Sequence, residues 1–131
     1  MSGEVFNVTY PIGDPGGDNK QLFMFQAPTD AIGGGITIVG AKAVTNATLA
    51  GAGTTFTYQL LTYSNAGTPA VSGTITTVIG SATQWTAAVP QAFTISDGFV
   101  DAGEYVVIDY QELASGNPTL SSVMVQYVMG K

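Results

Sequence analysis

The sequence predicts an all-β fold, an antiparallel β-sandwich of about eight strands, on three observations. β-Branched and aromatic residues recur in short runs, and Gly, Pro, Asn or Asp separates one run from the next. No segment sustains the apolar period of about 3.6 that an amphipathic helix needs. Charged residues make up only 9 % of the chain, so Thr, Ser, Asn, Gln and Gly fill the polar positions that Lys and Glu usually take.

In order, the strands are expected at Val5 to Tyr10, Leu22 to Ala27, Ile36 to Asn46, Thr55 to Ser64, Ser72 to Ile79, Ala92 to Ser96, Glu104 to Glu112 and Ser122 to Met129. Between the first two, Pro11 to Asn19 holds two prolines and three glycines, which cannot sustain a ladder and must form a loop or an extended arm. Ile32 to Ile36, with Gly33, Gly34 and Gly35 in succession, is a second break, and Asn65 to Pro69 a third. Turn signals at roughly 8 to 12 residues favour a jelly roll, with an immunoglobulin-like sandwich as the alternative. At 131 residues the chain is one domain, residues 1–131, within which 1–35 is an N-terminal arm or an edge-strand region.

Composition excludes several chemistries. With no Cys and no His, the chain lacks disulfides, thiolates, imidazole bases and the commonest transition-metal ligands. Three Lys, no Arg and nine acidic residues give a net charge of −6, which attracts neither a phosphate backbone nor an anionic membrane. The start, Met1 to Tyr10, has no basic and then apolar leader, and no window is apolar enough to span a bilayer. Asn7-Val8-Thr9 and Asn46-Ala47-Thr48 match the glycosylation triplet and are read as chance matches.

Four of the nine acidic residues lie between Phe99 and Glu112, which raises the question of an active site. Alternation along a strand puts Glu104, Val106, Ile108, Tyr110 and Glu112 on one face and Tyr105, Val107, Asp109 and Gln111 on the other. Glu104 and Glu112 are then about 27 Å apart at roughly 3.4 Å per residue, whereas a glycosidase pair needs about 5 to 9.5 Å. Asp101 falls in the turn that opens the strand, with Gly103 able to take a positive φ. Asp97 to Glu104 lacks the alternating acidic spacing of an EF-hand, and Phe99 and Val100 occupy would-be ligand positions. Asp14 and Asp18 lie in a Gly-Pro loop without the Lys of a phosphate loop. The chain is therefore expected to have no catalytic residue, no metal site and no cofactor.

Asp101-Ala102-Gly103-Glu104-Tyr105 resembles the tyrosine corner of immunoglobulin variable domains, with Val107 where those domains place a Cys. That arrangement would bury Asp109, so the opposite face, Val106, Ile108 and Tyr110, is expected to be the core side. Trp85, in a linking segment, is read as a plug over one end of the sandwich in preference to a sugar-stacking platform. A sugar or receptor site would draw on Trp85, Tyr63 and Asp97.

Leu22 to Phe25, Gln59 to Tyr63, Tyr105 to Tyr110 and Val123 to Met129 carry large apolar groups on both strand faces. A two-layer sandwich buries only one face of each sheet, so the outer face is expected to be partly covered by another subunit or a larger surface. Val5, Phe6, Val8, Tyr10, Phe23 and Phe25 are the expected partner-binding residues, adding as strands to a neighbour's edge.

The Gly/Ala/Thr-rich texture, the run from Phe93 to Tyr105, the Tyr110-Gln111-Glu112 segment and the ending Gln126 to Gly130 resemble small structural proteins of tailed bacteriophages, of the capsid decoration or cement type. The resemblance implies a β-sandwich or jelly-roll knob, commonly a trimer, that clamps neighbouring capsid subunits. It implies a virion location after synthesis in the host cytoplasm without a signal peptide. The partner would be the major capsid protein or another virion protein, with no nucleic acid and no membrane. A carbohydrate- or receptor-binding module of a phage fibre or tail is the alternative.

Overall fold

A computed structural model of the chain describes residues 4–13, 19–29, 33–46, 48, 54–65, 70–80, 85–114, 118 and 120–130. Nine strands follow one another: β1 (Phe6–Ile12), β2 (Lys20–Gln26), β3 (Gly35–Thr45), β4 (Thr54–Tyr63), β5 (Val71–Thr74), β6 (Gln91–Ala92), β7 (Phe99–Asp101), β8 (Tyr105–Ala114) and β9 (Ser121–Met129). Among the described residues no helix is long and apolar enough to cross a membrane.

The strands form two antiparallel sheets. One has the order β1-β9-β3-β6, with β7 also paired to β3, and the other has the order β2-β8-β4-β5. β1 pairs with β9, β2 with β8, β3 with β7 and β4 with β5. These pairings are nested, as in a single long hairpin folded on itself. Rolling that hairpin brings β3 against β9 and β4 against β8, the two longest ladders. This is jelly-roll topology, and it puts the first strand beside the last, which an immunoglobulin-like order does not.

Alternation sets what faces inward. Ile36, Ile38, Ala41 and Ala43 of β3, Phe56, Tyr58 and Leu60 of β4, Val106, Ile108 and Tyr110 of β8, and Val123 and Val125 of β9 are buried together in one core. Each such fully buried Ile, Leu, Val or Phe is stabilising by about 1.5–3 kcal/mol. Val106, Ile108 and Tyr110 do lie on the core side of β8, while Tyr105 is only half-buried and packs at its outer face.

The differences from the expected strands have local causes. Ser72 to Ile79 is a strand only to Thr74, after which the chain bonds to β4 at separate points, Ile75 N to Leu60 O at 2.9 Å and Ile79 N to Tyr58 O at 2.9 Å. Ala92 to Ser96 shrinks to the two-residue β6. The short β7 is an additional strand, within a stretch whose turn signals, Asp97-Gly98 and Ala102-Gly103, mask the three residues between them. Gly35 makes this pairing possible, because a Cβ there would lie 2.1 Å from the Val100 carbonyl oxygen. The expected loop Pro11 to Asn19 falls outside the described residues at 14–18, and the break at Asn65 to Pro69 does so at 66–69.

Candidate functional site

The acidic stretch does not gather. Glu104 precedes β8 and Glu112 lies near its far end, opposite Phe56 in the ladder. The turn before β8 is closed by the main chain, Glu104 N donating to Asp101 O at 3.0 Å, with Gly103 at φ +84°. The carboxylate that caps a backbone amide is that of Asp97, whose Oδ1 accepts from Phe99 N at 3.3 Å. Asp97, Asp101 and Glu104 line a shallow depression of about 220 Å³ together with Thr62, Ser72 and Thr74. Among the described residues no group of three acidic side chains could hold a metal ion. Glu112 Oε2 is shielded from solvent and has no hydrogen-bond partner among the described residues, while its amide donates to Asn19 Oδ1 at 3.0 Å. Asp14 and Asp18 lie outside the described residues.

Trp85 is fully buried, so it offers no face to a sugar. Its indole stacks on Phe56 with centroids 4.7 Å apart and planes 10° from parallel, and meets Tyr58 edge-on at 5.8 Å. Its Nε1 donates to the Phe56 carbonyl at 2.9 Å, so burial leaves no unpaired donor. Gly80, at φ +95°, leaves room for the ring, since a Cβ there would sit 2.5 Å from Nε1. Beside this cluster the Tyr58 hydroxyl shares a hydrogen bond of 2.5 Å with Ser121 Oγ. Burial pushes the Tyr58 pKa up to about 12, and the Ser121 hydrogen bond opposes part of that rise.

The six residues expected to bind a partner fall into two sets. Val8, Tyr10 and Phe25 pack against the core. Val5, Phe6 and Phe23 are exposed, although Phe6 stacks on Tyr127 at 5.3 Å. Neighbouring Phe23 and Phe25 part company because a β-bulge falls between them: Phe23 stands opposite Val107 and Phe25 opposite Val106. β1 and β2 are edge strands of the two sheets, so within the chain residues 6–12 form a seven-position ladder with β9.

The outer face of the β2-β8-β4 sheet is organised in cross-strand rows. Gln21, Asp109 and Gln59 form one row, Phe23, Val107 and Leu61 the next, and Gln26, Tyr105 and Tyr63 the third. Phe23 meets Tyr63 edge-on at 5.1 Å and Tyr105 at 5.3 Å. The Tyr63 hydroxyl donates to Gln21 Oε1, so its ring runs back across the Leu61–Val107 row to reach the first row. Val107 and Leu61 are buried as a result, on the sheet's solvent side. Three aromatic rings thus do part of the covering of this outer face within the chain itself. Sequence alone marks Tyr63 and Phe23 separately, for different roles, and does not mark Tyr105 beside them, since the meeting of the three depends on the β2–β8 and β4–β8 registers.

On the other sheet, the outward positions of β1, β9 and β3 include Asn7, Thr9, Met124, Gln126, Gly40 and Lys42, which with Ala92 line a groove of about 480 Å³. Lys42 is the one charged side chain at the outward ladder positions of β1, β9 and β3.

No family model matches the sequence, and no curated protein matches it. Among solved structures, a chain from the structure of infectious bursal disease virus, Gx strain, aligns with 14 % identity and a TM-score of 0.44. The alignment covers 97 % of this chain and 32 % of that one, so this chain spans about a third of its length.

Proposed function

We propose that the chain is a non-enzymatic virion structural protein, a decoration or cement subunit that binds and stabilises the capsid lattice of a tailed bacteriophage, with the major capsid protein as its partner and a homotrimer as its working form. The observation that carries this reading is the pair of outer sheet faces. Along the ladders, the outward positions of β1, β9 and β3 carry a single charge, Lys42, and those of β2, β8 and β4 a single charge, Asp109, among the described residues. Such faces cost little to desolvate, because few ions have to shed water when a neighbour covers them. A jelly roll suits the role mechanically, since its nested ladders hold those faces in place.

Purified protein mixed with capsids that lack it should co-sediment in a fixed ratio and raise their disruption temperature. Sedimentation velocity of the protein alone should show a trimer. A 13.4 kDa monomer that leaves capsids unbound would refute the proposal. A carbohydrate- or receptor-binding module of a fibre or tail is the second reading, favoured by the aromatic cluster around Phe23.

A further inference from the structure

We propose that the free edge of β1 receives an extended segment of the capsid partner as an added strand, held by the main chain of Asn7, Thr9 and Pro11. The inference rests on the lattice role and names how that contact is made. Two bonds fix which way the main chain points. Gly130 N donates to Gly35 O at 2.9 Å and Asn46 N to Leu120 O at 3.0 Å, so the even-numbered residues of β9 turn their N–H and C=O groups towards β3. Its odd-numbered residues, Tyr127, Val125, Val123 and Ser121, then turn towards β1, where they stand opposite Phe6, Val8, Tyr10 and Ile12. The alternate residues Asn7, Thr9 and Pro11 point away from the sheet, and all three are exposed. Pro11 fits that phase, since a proline in an edge strand turns its nitrogen to solvent. The edge therefore presents two N–H donors and three C=O acceptors, repeating about every 7 Å, which is the pattern a second extended chain matches.

The other sheet edges among the described residues are blunted. β2 opens on Lys20 and is interrupted by the bulge between Phe23 and Phe25. β5 has four residues beside an irregular ladder, and β6 and β7 have two and three. β1 runs for seven residues in unbroken register with β9, and no charged residue occurs from Val5 to Gly13. Short strands, bulges and charges are the means by which sheet proteins suppress stray pairing, so the long, regular and uncharged edge is the one left open to a partner.

The core side of β1 says what the segment carries. Phe6 stacks on Tyr127 with centroids 5.3 Å apart, and Tyr127 stacks on Phe25 at 5.5 Å, the planes lying 21° and 23° from parallel. Tyr127 covers the Phe6 ring on its β9 side, the sheet edge lies on the other, and the residue is 36 % exposed. An apolar side chain set beside Phe6 by an added strand extends this stack and removes that surface from water. Alternation then gives the segment apolar residues on this side and neutral polar residues beside Asn7 and Thr9 on the other. The net charge of −6 disfavours Asp and Glu within it. A second copy of β1 paired across a twofold axis does not suit a trimer, because each trimer would carry three such edges and grow into an open network.

Residue-resolved amide hydrogen exchange of the protein, free and bound to capsids that lack it, tests the proposal. In the free protein the Asn7 and Thr9 amides should exchange quickly while those of Val8 and Tyr10 are protected, and capsid binding should slow Asn7 and Thr9 by about tenfold or more. Thr9→Pro removes one outward donor and none of the β1–β9 bonds, so it should fold and bind capsids about tenfold more weakly. If that variant does not fold, exchange in the wild type decides alone. Unslowed exchange at Asn7 and Thr9 in capsid-bound protein would overturn the edge contact and leave the lattice role standing, whereas wild-type protein that does not bind capsids would overturn both. Protection of these two amides that rises with protein concentration in the absence of capsids would assign the edge to a second copy, and the proposal would fail.

Discussion

Replacing Trp85 by Ala should remove a large share of the stability of the sandwich, and the size of the loss follows from what the ring touches. Truncating a fully buried Trp costs about 3–5 kcal/mol through lost transfer energy and the cavity left behind. Trp85 also stacks on Phe56 at 4.7 Å and donates to its carbonyl at 2.9 Å, which places it in the upper part of that range. With an unfolding entropy of about 2.1 cal/mol/K per residue, 131 residues give about 0.28 kcal/mol/K, so about 4–5 kcal/mol lowers Tm by roughly 15–18 °C. Trp85→Phe keeps a ring on Phe56 but removes the N–H donor and some volume. It should cost about 1–2 kcal/mol, or roughly 4–7 °C. Scanning calorimetry measures both. In the wild type the one Trp is also its own reporter, with blue-shifted emission that moves red on unfolding. A loss below about 1 kcal/mol for Trp85→Ala would show that the ring does not close the core.

Four further outcomes are expected. Tyr58 has a folded pKa raised from 10.0 to about 12, so the stability held in its neutral form is complete below pH 10 and is lost as pH rises through 12. Tyr58→Phe should flatten that alkaline limb in chemical-denaturation profiles, and an unchanged limb would contradict it. Gly35→Ala should cost about 1–3 kcal/mol by forcing β3 from β7, and hydrogen exchange should speed up at Ala102 N, which bonds Gly34 O at 2.8 Å; equal protection in both proteins would count against it. Deleting residues 1–12 removes β1 and the burial of Val8, Tyr10 and Ile12, so the melting temperature should fall sharply, whereas a detachable arm would leave it unmoved. Millimolar calcium should leave the calorimetric midpoint unchanged, because Asp97, Asp101 and Glu104 do not form a metal-holding group; a large saturable rise would mean native-state binding.

Period-two alternation and glycine punctuation determine by themselves that this chain is all-β, that Val106, Ile108 and Tyr110 face the core, that Glu104 and Glu112 cannot act as a pair, and that Gly103 takes a positive φ. Those are local properties, fixed by the pleat and by backbone sterics within a few residues. The lack of Cys, His and Arg likewise limits the available chemistry in any fold. What the tertiary structure decided is every property that depends on which strand lies beside which. The pairing of β1 with β9 and β2 with β8 makes the sandwich a jelly roll, which no local pattern distinguishes from an immunoglobulin-like order. The bulge between Phe23 and Phe25 sends one ring to solvent and the other to the core, although alternation alone puts them on one face. Trp85 finds Phe56 and Gly80 only once the chain has closed over the end of β4. Tyr63, Phe23 and Tyr105 come together because three separate strands place them in adjacent rows, and a one-residue slip in either ladder would scatter them.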